Sequence, residues 1–211
     1  MGNKSHFFRQ SNGLSLVADY QFNNNLIDDV GGNNGTGTNI TFNSGSFGNE
    51  AVFNGSSSLV EIADNDAFTF TDGVNDLPFR MELVVKISSL KTQSIISKRL
   101  NNNNEIQLAC ASSNLFQIAL LNPPANNLIS SRVIPPVSSN GYYNIVVDYD
   151  GSKTQNGLSI VVNGFSSTPD PSNPTYVGMT STGTNITLGK DGYRNRGYLN
   201  GSISQIKIYK W

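Results

Sequence analysis

The stretch Phe79-Arg80-Met81-Glu82-Leu83-Val84-Val85-Lys86-Ile87 decides the fold. Its odd positions are all apolar, while Arg80, Glu82 and Lys86 point the other way. Successive side chains alternate across a strand, so this spacing predicts a strand with one face on a core and one toward water. Reading outward, the same style recurs. Leu14–Phe22 opens the chain. Ala51-Val52-Phe53 and Leu59-Val60-Glu61-Ile62 flank the turn Asn54-Gly55. Gln93–Lys98 and Glu105–Cys110 read as a hairpin across the run Asn101–Asn104, and Leu115–Leu120 follows. Tyr143–Tyr149 ends at Asp150-Gly151, and Leu158–Val162 ends at Asn163-Gly164. Asn-Gly and Asp-Gly supply the positive φ that tight turns demand. Asn185–Gly189 and Ser202–Tyr209 close the chain, and the Pro-containing stretch Asn122–Pro136 reads as a long loop.

No window of more than about ten residues carries the period of about 3.6 that marks a helix. At least ten strands separated by turn residues argue for two packed antiparallel sheets, an all-β jelly-roll sandwich. The 211 residues suffice for one such domain, read here as 14–211 with an N-terminal arm, 1–13. The frequent Asn residues suit a chain of many tight turns.

Composition removes several function classes. Charged residues make up 14% and the formal net charge is −1, so no long-range field gathers a nucleic acid. No Lys/Arg run grips an anionic membrane, and no apolar stretch approaches the ~20 residues of a membrane span. The start, Met1–Phe8, lacks the apolar core of a signal peptide, and His6 stands where myristoylation needs Ser or Thr. The expected location is therefore a virion or an extracellular surface reached without a classical leader. One cysteine, Cys110, cannot form an internal disulfide, and its alternating context places it in a core.

Several segments together resemble the laminin-G-like (pentraxin-like) branch of the concanavalin A-like lectin/glucanase superfamily. Ala18-Asp19-Tyr20-Gln21-Phe22 followed by Asp28–Gly35 is similar to the family's opening. Gly45–Gly55, Ile95-Ile96-Ser97-Lys98, Val147–Ser152, Ile160–Gly164, Leu188–Asp191 and Leu199–Tyr209 match its later motifs in order. The resemblance runs from about residue 16 to the end. It implies a concanavalin A-like sandwich with functional loops at its rims, and no single function, because this fold serves many. Two departures bear on function. Val84 stands where the family usually carries Trp, and Ser204 and Gln205 replace a closing acidic pair that often contributes to calcium binding.

The chemistry points away from catalysis. Glycoside hydrolysis needs two carboxylates flanking the bond, and glucanases of the superfamily set them on one strand as Glu-x-Asp-x-x-Glu. The chain has four Glu, and its nearest approach, Glu61-Ile62-Ala63-Asp64, has the wrong spacing. His6 is the only histidine and lies in the arm, which disfavours nucleophile–His sets and zinc. Calcium needs only oxygens, and Asp28 and Asp29 beside Gly31-Gly32-Asn33-Asn34 are the candidate ligands. The simpler reading there is a loop of Asx-turns. Asp64, Asp66, Asp72 and Asp76 read as a solvated acidic rim.

The richest binding segment is Lys190-Asp191-Gly192-Tyr193-Arg194-Asn195-Arg196-Gly197-Tyr198. It offers aromatic faces for sugar rings, with Asp191, Tyr193, Arg194, Asn195, Arg196 and Tyr198 as candidate ligand contacts. The same residues suit a protein interface, or simple packing of the loop. Phe7, Phe8 and Arg9 in the arm are candidate partner or self-assembly contacts, since adjacent exposed Phe side chains mark an interaction site. The sequence thus reads as a non-enzymatic structural or adhesion module with a lectin-like surface, such as a bacteriophage virion decoration or fibre protein. The alternative is a free-standing carbohydrate-binding domain of a bacterial surface protein. A cell-surface glycan and a protein partner are the expected contacts.

Overall fold

The computed structural model describes residues 13–101, 104–112, 115–122, 127–136, 140–170 and 175–211. The proposed partner contacts Phe7, Phe8 and Arg9 lie outside the described residues. In chain order the strands are β1 (Ser15–Tyr20), β2 (Gly35–Thr38), β3 (Thr41–Gly45), β4 (Gly48–Asn54), β5 (Leu59–Ile62) and β6 (Phe79–Ile87). Next come β7 (Gln93–Asn101), β8 (Asn104–Cys110), β9 (Phe116–Asn122), β10 (Asn127–Val133) and β11 (Gly141–Tyr149). The remainder are β12 (Leu158–Val162), β13 (Phe165–Ser166), β14 (Thr168–Pro169), β15 (Ile186–Leu188) and β16 (Asn200–Lys210). Two one-turn 3-10 helices, Asp66–Phe68 and Gln155–Gly157, are the helical segments among the described residues, and none is long and apolar enough to cross a membrane.

The strands form two antiparallel sheets, as the alternation predicts. One runs β13-β12-β11-β6-β16-β4-β3, the other β14-β10-β9-β8-β7-β15-β5-β2. β6 lies in the middle of the first sheet, where its odd residues are buried and its even ones half-buried. β16 pairs with β6 along its whole length. On its other edge, Asn200–Ile203 pair with β4 and Ile206–Lys210 with β1. A register shift between Ile203 and Gln205 leaves Ser204 as the extra residue where β16 changes partner.

The inner faces meet in one core. Phe79 stands at its edge between Phe70 and Tyr149, with ring centroids 4.7 and 5.6 Å away. Cys110 is buried, and burial pushes its thiol up to about 11, so the inert reading of this residue holds. Tyr143 is in the core while its neighbour Tyr142 faces outward, half-buried. The Asn163-Gly164 hairpin forms as expected: both residues have positive φ, 50° and 85°, and Val162 pairs with Phe165.

The Asn54-Gly55 turn forms where β4 in one sheet gives way to β5 in the other, and two other expectations are corrected. The turn carries the chain across the sandwich, held by the Asn54 side chain accepting from the Ser56, Ser57 and Ser58 amides. The stretch Asn122–Pro136 is not a loop throughout. Residues 127–133 form β10, paired along its full length with β9, because the prolines flank this run and do not interrupt it.

The acidic rim is split. Asp66 and Asp72 are exposed, but Asp76 is buried and accepts from Tyr149 Oη (2.7 Å), Tyr176 Oη (2.8 Å) and the Met179 amide (2.6 Å). Asp64 joins a buried ion cluster: Lys98 Nζ lies 2.8 Å from both Asp64 Oδ1 and Glu105 Oε2. Lys98 also donates to the Phe68 carbonyl, and Thr182 donates twice to Glu105 Oε1. Local composition predicted solvated carboxylates, but the cation and donors that bury them come from distant parts of the chain.

Candidate functional site

The second sheet has a face turned away from the core, and two of its register rows are mostly polar or small. One register row crosses seven strands: Thr36, Glu61, Thr187, Ser97, Gln107, Ala119 and Ser130. A parallel row on the same face holds Ser94, Ala109, Gln117 and Arg132. The alternation that places Ile96, Leu108 and Ile118 in the core forces these residues outward. Ser97 and Thr187 are nevertheless buried, because a loop lies over them.

That loop is the segment after β15, residues 189–199. Gly189 begins it with φ +77°, donating to the Ile95 carbonyl at 3.0 Å. A Cβ there would lie 2.2 Å from Phe53 Cδ1, so the position demands glycine. Leu199 N–H returns to the Gly189 carbonyl at 2.8 Å, closing the loop at its neck. Inside it, Asp191 N–H donates to the Arg196 carbonyl, and Ser94 N–H to the Gly197 carbonyl. Gly192 N–H donates to Ser97 Oγ at 3.0 Å, which pins the loop onto the sheet. The loop is thus a compact excursion tied at several points to β7.

The six candidate ligand contacts divide. Asp191 does not face solvent: it is 4% exposed, and its carboxylate accepts from the Tyr193 amide and faces Arg99 Nη1 at 3.5 Å. It positions the loop, because its partner Arg99 arrives from β7, 92 residues earlier. Tyr193, Asn195 and Arg196 are exposed, and Arg194 is half-buried with its guanidinium 5.7 Å from the Tyr193 ring centroid. Tyr198 is half-buried. Its hydroxyl donates to Asn195 Oδ1 at 2.6 Å, and Lys190 Nζ lies 5.8 Å from its ring centroid. The side chains exposed at the loop surface are therefore Tyr193, Asn195 and Arg196, with Arg194 and Tyr198 half-buried beside them.

Arg99, which the sequence did not single out, lies beneath them. Its Nη1 donates to Gln107 Oε1 at 2.7 Å, and Gln107 reaches Ser94 Oγ at 3.5 Å. Nothing in Ser97-Lys98-Arg99-Leu100 marks it, because its importance comes from the loop folded over it.

The candidate calcium ligands read differently in the structure. Asp28 Oδ1 accepts from the Asp19 and Val30 amides. Its Oδ2 accepts from the Gly31 and Asn33 amides and from Asn33 Nδ2. Five donors converge on one carboxylate, so its oxygens are turned to N–H groups and not to a cation, while Asp29 is exposed. Among the described residues no group of three His, Cys, Asp or Glu is placed to hold a metal ion. These residues do not fit a calcium ion; they fit the loop of Asx-turns.

Burial raises the Asp28 carboxyl, but the four backbone donors outweigh it and hold the pKa below the ordinary value. A folded pKa depressed in this way adds stability above the unfolded pKa of about 3.9, lost as pH falls through the folded value. Wild type should therefore exceed Asp28→Asn in stability by a constant margin above about pH 5, and that margin should shrink below about pH 4. Urea titrations of both proteins across pH 2.5–7 read this directly, and a margin that stays constant to the acid end would contradict it.

A second exposed aromatic lies on the outer face of the first sheet. Phe47, at the tip of the β3–β4 hairpin, is 54% exposed and leans on Tyr142 at 5.2 Å between centroids. Tyr142 donates to buried Glu50 at 3.0 Å, and Lys86 Nζ is 5.5 Å from its ring centroid. These residues come from three separate segments, so no local pattern could have joined them.

Comparison with known proteins places the fold. No known protein family matches the sequence, and no curated protein matches it. Solved structures do match. Domain 4 of AbnA, a GH43 extracellular arabinanase from Geobacillus stearothermophilus solved in complex with arabinotriose, aligns with a TM-score of 0.66 and 19% identity over 93% of both chains. The binding domain of Paraclostridial Mosquitocidal Protein 1 aligns with a TM-score of 0.71 and 13% identity over 92% of this chain and 48% of that one. Botulinum neurotoxin type C, whose cell entry depends on interaction with two ganglioside molecules, aligns at 0.68 and 16% identity over 92% and 48%. The present chain thus spans about half the length of the toxin chains and nearly all of the arabinanase domain. Identities this low carry the fold alone: the chain is a two-sheet β-sandwich of the architecture that these domains share.

Proposed function

We propose that this chain is a non-catalytic, carbohydrate-binding β-sandwich module, with its site on the loop 190–198 over the outward face of the second sheet. The motif order from Tyr20 to Tyr209 supports placing it in the laminin-G-like branch. The observation that carries the reading is the Tyr193 ring. It is 44% exposed, flanked by Arg194 and Asn195, on a loop that hydrogen bonds hold to β7. A fixed aromatic face with planar donors beside it suits the C–H face and hydroxyls of a sugar, and a preorganised loop spares ordering cost on binding.

The non-catalytic reading is supported by how the buried carboxylates are used. Asp28, Asp76 and Glu105 each hold several structural donors, and the Glu105 and Asp64 carboxylates share Lys98. The structures of the arabinanase domain with arabinotriose and of the ganglioside-dependent toxin support a glycan ligand by analogy of fold.

A glycan array followed by titration calorimetry tests the reading. The purified chain should bind at least one glycan class, and Tyr193→Ala should weaken that binding about tenfold, the loss of one aromatic–sugar stack. Phe47→Ala, on the opposite sheet, should leave it unchanged. An empty array at millimolar glycan, or equal affinity of Tyr193→Ala and wild type, would sink the assignment.

A further inference from the structure

β1 lies beside β16, so the start of the described chain and its last residue meet at one end of the sandwich. Gly13 stands against the Trp211 ring: a Cβ on it would lie 2.3 Å from Trp211 Cζ3, so the close approach demands glycine. The Trp211 N–H donates to the Pro78 carbonyl at 3.2 Å, which fixes the residue just before β6. Trp211 is nevertheless 66% exposed. The 72–78 loop that ends at Pro78 carries Val74, 76% exposed, and close to it lies Val177, 65% exposed. Lys153 joins the two segments: its Nζ donates to the Val74 carbonyl, and its Cε lies 3.2 Å from the place of a Cβ on Gly178. Single exposed apolar side chains are ordinary, but three at one end of a sandwich mark a contact surface.

The segment that joins this surface is the N-terminal arm. Its residues 1–12 lie outside the described residues, and they hold Phe7 and Phe8 with Lys4, His6 and Arg9 and no Asp or Glu. Phe8 stands five positions before Gly13. A chain reaches at most about 3.5 Å per residue, so the Phe8 Cα stays within about 18 Å of Gly13. The Trp211 ring, in contact with Gly13, is inside that reach. The charges also match. The exposed carboxylates of this end are Asp66, Asp72 and Asp150, while its lysines, Lys153 and Lys210, direct their ammonium groups to the Val74 and Asp66 carbonyls. We propose that Phe7 and Phe8 dock on the Trp211 surface of their own chain, with Arg9 toward the carboxylates at its rim. The tether makes the contact intramolecular, at an effective concentration on the order of millimolar, so a weak aromatic contact suffices to hold it. The phenylalanine pair then covers this end of the sandwich and does not serve a partner.

Trp211 is the only tryptophan, so tryptophan fluorescence reads this surface and nothing else. In the full chain its emission should be blue-shifted and shielded from acrylamide. Phe7→Asn/Phe8→Asn should red-shift the emission and increase its quenching, by amounts that do not change with protein concentration. Arg9→Glu should give a smaller red shift, largest at low salt, where the rim charges are least screened. A synthetic peptide of residues 1–12 should restore the blue shift to the double variant and leave wild type unchanged, because its own arm already holds the site. Identical emission and quenching in the double variant and wild type would overturn the proposal. So would shielding that disappears on dilution, which would assign the cover to the arm of a second copy, and so would a peptide that shifts wild type as strongly as the variant.

Discussion

Lys98→Ala is expected to cost about 3–5 kcal/mol of folding stability, the range for removing one partner from a buried ion pair. Lys98 is among the largest fully buried side chains, and its ammonium is shared by Glu105, Asp64 and the Phe68 carbonyl. Glu105 is itself buried, with its other oxygen taken by Thr182. Removing the ammonium strands a carboxylate without solvent or counter-ion. The effect should therefore come from the orphaned charge more than from lost attraction. Lys98→Met, which refills the volume, should still be strongly destabilised, and Lys98→Met/Glu105→Gln should be more stable than Lys98→Met alone. The glutamine keeps its acceptor toward Thr182 and carries no charge. Urea unfolding at pH 7, read as the midpoint at constant m-value, measures all three. A loss below about 1 kcal/mol for Lys98→Ala would show that water enters and the cluster is not dry.

Asp76→Ala should have an effect of similar size for a different reason. Its carboxylate gathers two phenols and one amide from two separate segments. The stretch carrying Tyr176 and Met179 has no ladder of its own, so Asp76 is what ties it to β11. Burial first, and the neighbouring Asp76 charge with it, raise the Tyr149 and Tyr176 hydroxyls well above the ordinary tyrosine value. Both phenols therefore stay protonated and act as donors. Alanine leaves three buried donors without an acceptor, each at about 1–3 kcal/mol, so a total of at least about 3 kcal/mol is expected. Asp76→Asn should cost much less, because its oxygen still accepts from Met179 and the phenol oxygens can accept from its amide. Thermal unfolding gives the ranking. Hydrogen exchange at the Met179 amide gives the mechanism: protection should fall in Asp76→Ala and persist in Asp76→Asn. Equal stability of the two variants would mean the hydrogen bonds are not what holds this segment.

The candidate site was half legible in the sequence. Tyr193, Arg194, Asn195 and Arg196 could be named because aromatic and planar side chains clustered in one turn-rich segment are unusual in a strand protein. Asp191 was misjudged for the same local reason. Among Lys190, Tyr193 and Arg194 it looks like one more polar contact, yet its burial depends on Arg99 from another strand. The Asp28 loop shows the converse. Its Gly and Asn content announced turns, but only the fold shows that five N–H donors point at one carboxylate, which replaces a cation reading with a structural one.

What the sequence by itself determined is the class of structure and the orientation of most strands. Side-chain alternation has a fixed period of two, so Phe79–Ile87 announces which residues face a core before any partner strand is known. It also set the expectation of a non-catalytic module, through a single histidine and four glutamates. What only the tertiary structure decided is which strands are neighbours: that Asn54-Gly55 crosses between sheets, that Lys98 meets Asp64 and Glu105, and that Arg99 lies under a loop 92 residues further on. The reason is physical. Alternation is a local property of the backbone, whereas sheet membership and ion pairing are set by long-range closure of the chain, which leaves no periodic trace in the residues it joins.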